Sequence, residues 1–184
     1  MSARATLLAA AIGMTLLGGC SQEGAGDEPV AATGVSGNGT VAAAVSGSAE
    51  HRKLAAALTD TQLAPVLDGK GGYTLLAPTD AAFTALGDKG AALGAQDQRP
   101  LMIAVLRGHI LPGQVTPQAI EAAIARKQGQ PVDMRTMAGG TVRFSKADGG
   151  LRVGNGAGTA SLGAATTASN GAVLPIDAVL LPAQ

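Results

Sequence analysis

The chain has 184 residues and no net formal charge, because 13 basic side chains balance 13 acidic ones. Once an export segment is set aside, this length allows one ordinary domain and not two. The sequence argues against nucleic-acid binding, since it has no basic stripe and its only aromatic side chains are Tyr73, Phe83 and Phe144. Cys20 is the only cysteine, so no internal disulfide can form.

Residues 1–19 have the pattern of a bacterial signal peptide. After a single basic residue, residues 5–17 form an uncharged apolar run that is too short to cross a bilayer. The segment Leu17-Gly18-Gly19-Cys20 then resembles the bacterial lipobox, in which one aliphatic and two small residues precede a cysteine that becomes lipidated. We therefore expect cleavage between Gly19 and Cys20 and a lipid anchor on Cys20. The alternative is an unmodified cysteine after an ordinary secretory signal.

The residue after the cysteine bears on location. Ser21 stands where an aspartate is the usual signal for retention in an inner membrane. We therefore expect a lipid-anchored protein of the cell envelope that faces the periplasm or the surface, with the outer membrane favoured if the host has one. The membrane, reached through the lipid on Cys20, is the first expected partner.

Residues 20–47 are expected to form the lipidated N-terminus and a flexible linker, because Gly, Ala, Ser and Thr dominate and no hydrophobic period persists. The domain is then expected to occupy residues 48–184. Ser48 is predicted to cap its first helix, with His51 in water. Leucines on this helix and the turn after it are predicted to face inward, namely Leu54, Leu58 and Leu63.

Helix caps come first along the domain and strand signals come later. Thr79 or Asp80 is predicted to cap a helix that ends near Leu86, and Asp97 and Thr116 are predicted to cap two more. An early strand and later strands separated by glycine turns are predicted at residues 73–77, 132–137, 141–146, 151–153 and 173–181. Helices first and strands afterwards predict a compact α+β fold, with the early strand joining the later sheet.

Four segments together resemble the fasciclin (FAS1) domain family. YTLLAPTDAAFTAL at residues 73–86 is similar to the family's first motif, and SNGAVLPIDAVLLP at residues 169–182 is similar to its last strand. LRGHILPG at residues 106–113 resembles the central segment, and TMAGGTVRF at residues 136–144 fits the strand pair between them. The resemblance implies N-terminal helices packed on a sheet built mainly from the C-terminal half, an exported location, and a role in adhesion or surface interaction.

The sequence departs from the family pattern at two single positions and at one pair of residues. Gly108 stands where the family has a tyrosine before His109, and Leu174 stands where it has a histidine in the last strand. Ala165-Thr166 replaces an acidic–aliphatic pair that is implicated in integrin contacts of animal relatives. Receptor binding of the animal type therefore does not carry over to this chain.

The motif residues are interpreted as structural positions that are also available for interaction. Asp80 is expected to cap a helix, and Asp177 to form a hydrogen bond in the last strand. His109 is expected to be buried and hydrogen-bonded under the turn at Pro112, and the Asn170-Gly171 pair to form a turn, because both residues tolerate positive φ. The full set is Pro78, Thr79, Asp80, Phe83, His109, Asn170, Gly171 and Asp177.

No catalytic constellation is found in the sequence. It lacks the Gly-x-Ser-x-Gly, His-Glu-x-x-His and Walker motifs, and its two histidines have no local carboxylate partners that would complete a metal site. We therefore expect neither an enzyme nor a cofactor.

Three functions remain open. A surface-exposed lipoprotein that mediates adhesion or binds an unknown protein or matrix polymer is favoured. A binder of a small apolar ligand would need an enclosed cavity of roughly several hundred Å³ lined by Leu, Val and Met. An unrecognised hydrolase would need Asp80, His109 or Asp177 to meet in one cleft.

Overall fold

A computed structural model describes residues 35–36 and 39–182, which belong to one compact unit, Ala31–Gln184. The predicted signal peptide, the lipobox with Gly19 and Cys20, and most of the predicted linker lie outside the described residues. No helix in the part that the structure describes is long and apolar enough to cross a membrane.

The described helices precede most of the strands along the chain. The helices are α1 (Val41–Ser46), α2 (Arg52–Asp60), α3 (Ala64–Asp68), α4 (Asp80–Ala85), α5 (Asp88–Leu93), α6 (Arg99–Gly108) and α7 (Pro117–Arg126), with a 3-10 turn at Gln96–Gln98. The strands are β1 (Val35–Ser36), β2 (Tyr73–Pro78), β3 (Ile110–Pro112), β4 (Val132–Arg135), β5 (Thr141–Ala147), β6 (Gly150–Gly154), β7 (Thr159–Ser161), β8 (Thr166–Ala168) and β9 (Gly171–Ile176). This order confirms the predicted α+β class.

The strands form two sheets. One has the order β1-β8-β9-β2-β3, and the other is the antiparallel meander β4-β5-β6-β7. In the first sheet β2 pairs in parallel with β9, from Tyr73 opposite Gly171 to Pro78 opposite Ile176. A bridge between Leu162 and Ile176 connects the second sheet to the first. The predicted joining of the early strand to the C-terminal sheet is therefore confirmed.

The strand β2 is buried on both faces, which explains its continuous apolar sequence. Leu75 and Ala77 pack in a cluster with α1, α2, α3 and α6. Leu76, which points to the opposite face, packs in a second cluster with α7 and the β4–β7 sheet. The unit Ala31–Gln184 contains both clusters and a smaller third one, so it carries its own complete core.

The predicted linker boundary at residue 47 is wrong for residues 40–47. These residues form α1, in which Val41, Ala42 and Val45 are buried in the first cluster, and Thr40 caps the helix by accepting the N–H of Ala43 at 3.2 Å. The two valines lie four positions apart, so they share one helical face. The helix has only six residues and flanking glycines and serines, which hid this face in the composition of the segment.

Two further predictions near helix starts are wrong. His51 is buried instead of solvated, and it occupies the N-cap position of α2 that was predicted for Ser48. The hydroxyl of Ser48 contacts the His51 side chain, with Oγ 2.8 Å from Nδ1. Asp97 lies within the 3-10 turn, and Gln98 precedes α6 in its place. The short elements α5, β3, β7 and β8 were not predicted.

Candidate functional site

Asn170 joins three segments of the chain. Its Oδ1 accepts the N–H of Val41 at 2.8 Å, and its Nδ2 donates to the carbonyls of Leu67 and Gly69, at 2.7 Å each. The acceptor thus meets an N–H at the start of α1, and the two donors meet carbonyls at the end of α3. Asn170 therefore holds the two helix ends against the β8–β9 turn.

Gly171 is required by a close approach of the backbone. A Cβ atom at this position would lie 1.9 Å from the carbonyl oxygen of Tyr73 and 2.8 Å from Cγ2 of Val41. The predicted turn is present between β8 and β9, but neither Asn170 nor Gly171 has a positive φ, so the conformational reason given for the pair is wrong. The pair serves helix anchoring and strand contact instead.

Asp80 stabilises a helix other than its own. Thr79 caps α4 through its hydroxyl, whereas the Asp80 carboxylate accepts the backbone N–H of Lys53 in α2 at 2.8 Å. The Nε of Arg52 lies 3.4 Å from the same carboxylate. The hydrogen bond from Lys53, with a smaller effect of Arg52, holds the pKa of Asp80 below its usual value. Of the two residues predicted to cap α4, Thr79 does so, whereas Asp80 lies in the first turn of α4 and caps α2 instead.

Pro78 and Phe83 are packing residues on either side of Thr79. Pro78 is the last residue of β2 and is buried. The backbone N–H of the next residue, Thr79, donates to the carbonyl of Ile176 at 3.1 Å. Phe83 is half-buried and contacts both the first and the third apolar clusters. Its remaining surface faces a groove between helices.

His109 is completely buried and both of its ring nitrogens are hydrogen-bonded. Nδ1 donates to the carbonyl of Val105 at 2.7 Å, and Nε2 accepts the N–H of Leu180 at 3.0 Å. These two partners fix the neutral tautomer. Burial lowers the pKa of His109 from 6.5 to about 4, against the opposing effect of the hydrogen bond to Val105. The predicted burial is confirmed, but the predicted hydrogen bonding at the turn of Pro112 is wrong, because the partners are Val105 and Leu180.

Asp177 follows β9 directly and lies on the surface. Its carboxylate accepts the N–H of Ser161 at 2.7 Å, and its own N–H donates to the carbonyl of Ser161 at 3.3 Å. These two bonds attach β7 to the end of β9, next to the bridge between the sheets. The predicted hydrogen-bonding role of Asp177 is confirmed.

Asp80, His109 and Asp177 each bind main-chain groups of different elements. Within residues 39–182, no hydrogen bond or ion pair links any two of the three. The convergence that the hydrolase alternative needs is therefore not observed for these side chains. Among the described residues there is also no group of three or more side chains suited to hold a metal ion.

A groove of about 970 Å³ lies between α2, α4, α5 and α6. Apolar side chains of Ala57, Phe83, Leu93 and Met102 line it, and several exposed residues surround it. The groove is open to solvent, unlike the enclosed cavity that the apolar-ligand alternative needs. Sequence reasoning missed it, since its α5 wall is built from glycine and alanine and belongs to a helix that was not predicted.

The positions that depart from the family pattern lie in different surroundings. A Cβ atom on Gly108 would meet nothing within 4 Å, so this helix end has room for a larger side chain. Leu174 is completely buried in the second apolar cluster. Ala165 and Thr166 are half-buried at the start of β8.

Comparisons with known proteins agree with this architecture. The chain is 26% identical over 144 residues to "Protein sll1483" of Synechocystis sp., covering 78% of this chain and 73% of that protein. The solved FAS1 domain pair of the insect cell adhesion molecule Fasciclin I matches with a TM-score of 0.56 and 22% identity, which supports the fold. The match covers 70% of this chain and 44% of that chain, so this chain spans less than half of the domain pair.

The family model of the fasciclin domain matches residues 49–182. This range includes Asp80, His109, Asn170 and Asp177, whose hydrogen bonds hold the helices and the two sheets in place. The match supports, in the broad sense, a role in adhesion or interaction. The chain therefore belongs to the fasciclin (FAS1) domain family.

Proposed function

We propose that this protein is an adhesion or interaction module of the cell envelope, anchored by a lipid on Cys20. The observation that carries the proposal is the fasciclin domain over residues 49–182, since this family is associated with cell adhesion. The partner that we propose is a protein or a matrix polymer.

The use of the motif side chains supports a binding module. The hydrogen bonds to main-chain atoms formed by the side chains of Asp80, His109 and Asn170 stabilise the scaffold. A rigid scaffold positions exposed loops and helix faces for contact with a partner. We therefore expect the binding residues to lie on the surface around the motif and not within it.

The proposed anchor is tested by the variant Cys20→Ala. The support for it is the Leu17-Gly18-Gly19-Cys20 segment after an apolar run. We expect the variant to lose lipid labelling and to remain uncleaved by the lipoprotein peptidase, whereas the control Ser21→Ala should be labelled and cleaved. A Cys20→Ala protein that matures to the same mass and stays with membranes after a carbonate wash would refute the anchor.

The proposed adhesion is tested with cells that lack the gene. We expect these cells to adhere less to one another or to a matrix-coated surface, and the wild-type gene to restore adhesion. The purified unit Ala31–Gln184, added in solution, should compete with adhesion, whereas the same unit unfolded by heat should not. Normal adhesion of the deletion strain, together with no binding of the purified unit to cells or matrix, would contradict the proposal.

A further inference from the structure

The groove between α2, α4, α5 and α6 combines an apolar floor with a wall of small residues. Phe83 and Met102 are half-buried and Leu93 is buried at its floor. The α5 side of the groove contributes Gly87, Gly90, Ala91, Gly94 and Ala95, whose lack of bulk leaves the floor accessible. A volume of about 970 Å³ lies within the range of small-molecule sites, roughly 300–1,000 Å³.

The charged side chains around the groove favour an anion. Lys53 and Arg99 line it together with one acidic residue, Asp60. Lys53 Nζ donates to the hydroxyl of Thr84, another lining residue, at 2.7 Å, so its ammonium group is held beside the groove. Arg99 is exposed and forms no ion pair or side-chain hydrogen bond with any residue that the structure describes. Among the described residues, none competes with a ligand for its guanidinium group.

We propose that this groove binds a small amphiphile that has an apolar chain and one anionic head group, such as a single-chain carboxylate. The chain packs against Phe83, Leu93 and Met102, and the head group binds Arg99 and Lys53. The site takes a single molecule and not a membrane surface, because its apolar side chains lie at the floor of a concave groove between helices. This inference does not depend on the proposed adhesion.

The first experiment compares three probes that share one chain and differ in head-group charge. We expect the ¹⁵N-labelled unit Ala31–Gln184 to bind dodecanoate saturably, with a Kd below about 1 mM and shifts of amide signals from α2, α4, α5 and α6. Dodecanol should bind more weakly, and dodecyltrimethylammonium more weakly still. All titrations are kept below the concentration at which dodecanoate or dodecyltrimethylammonium forms micelles, and below the solubility limit of dodecanol.

Matched variants separate the apolar part of the site from the charged part. Ala56→Trp fills the groove from α2 and should abolish binding of every probe, whereas the control Ala122→Trp, on the exposed face of α7, should not. Arg99→Gln should weaken dodecanoate binding about fivefold and leave dodecanol binding unchanged, as expected for the loss of one exposed ion pair. The control Arg135→Gln, at the end of β4, should bind both probes as the wild type does.

Several results would overturn the proposal. Equal affinity for the three probes would refute the anionic head group, and amide shifts outside the groove would refute the site. Binding to vesicles that contain phosphatidylglycerol, without binding of monomeric dodecanoate, would assign the groove to a membrane surface instead. Binding of a peptide helix in the groove, without binding of dodecanoate, would assign it to a protein partner. None of these results changes the adhesion measured with deletion strains, so the two proposals fail independently.

Discussion

Lowering the pH should destabilise the domain through His109. Its neutral ring is buried between Val105 and Leu180, and burial lowers its pKa to about 4 in the folded state. In the unfolded chain the ring binds a proton near its ordinary pKa of 6.5. Between these two values the unfolded state holds more protons than the folded state. The stability that the neutral ring contributes is therefore complete above pH 6.5 and is lost progressively as the pH falls through 4.

The size of this effect follows from the two pKa values of His109. The difference between 6.5 and about 4, at about 1.4 kcal/mol for each pKa unit, corresponds to about 3 kcal/mol. A domain of this size has an unfolding free energy of roughly 5–15 kcal/mol. Protonation of one buried ring therefore removes a substantial fraction of the total stability.

The assay is urea unfolding of the unit Ala31–Gln184 at pH values from 7 to 4, for the wild type and for His109→Gln. The variant should lose about 1–3 kcal/mol at pH 7, because glutamine replaces only part of the hydrogen bonding, but its stability should fall less as the pH drops. The control Asp133→Asn should keep the wild-type slope over most of this range, because the pKa of Asp133 lies below 3.8 in the folded state, where Arg143 donates to its carboxylate. Parallel pH profiles of the wild type and His109→Gln would refute the reasoning.

Three predictions test the junction around Asn170. Asn170→Ala should lower the free energy of unfolding by about 2–4 kcal/mol, because it removes three hydrogen bonds. Asn170→Asp should restore little of this free energy, because its carboxylate would face two carbonyls; full restoration would contradict the assigned contacts. Gly171→Ala should lower the free energy of unfolding, measured in urea, by about 3 kcal/mol or more, because its Cβ would collide with the carbonyl of Tyr73. The control Gly158→Ala should lower it far less, because its Cβ would meet open space. A unit that begins at residue 48 should melt at a lower temperature than Ala31–Gln184; equal melting temperatures would mean that α1 does not stabilise the core.

The parts of the fold that the sequence predicted are governed by local patterns. The apolar run of β2 and the threonine caps at Thr79 and Thr116 involve residues within a few positions of each other. Leu54 and Leu58 are buried as their helical spacing predicts. In each case the signal is the order of residue types within one element, so no distant partner has to be known to recognise it.

The parts that the sequence did not predict depend on partners far along the chain. Asn170 binds Val41, which is 129 positions away, and no local pattern indicates which backbone group an amide will find. The same is true of Asp80, whose carboxylate caps α2 across 27 positions. The groove was missed for another reason: its walls come from four helices, so its shape exists only after they pack.

The position of α1 has a mechanical consequence. Tension that enters the domain from its N-terminal side reaches this six-residue helix before the long parallel pairing of β2 with β9. Its attachments include the side chain of Asn170 and the packing of Val41 and Val45, and the short strand β1 before it pairs with β8. A pulled molecule would thus extend first by releasing β1 and α1 and only at higher force by separating β2 from β9. In a molecule that holds a cell to a surface, such a first step would absorb a sudden pull without loss of the folded domain.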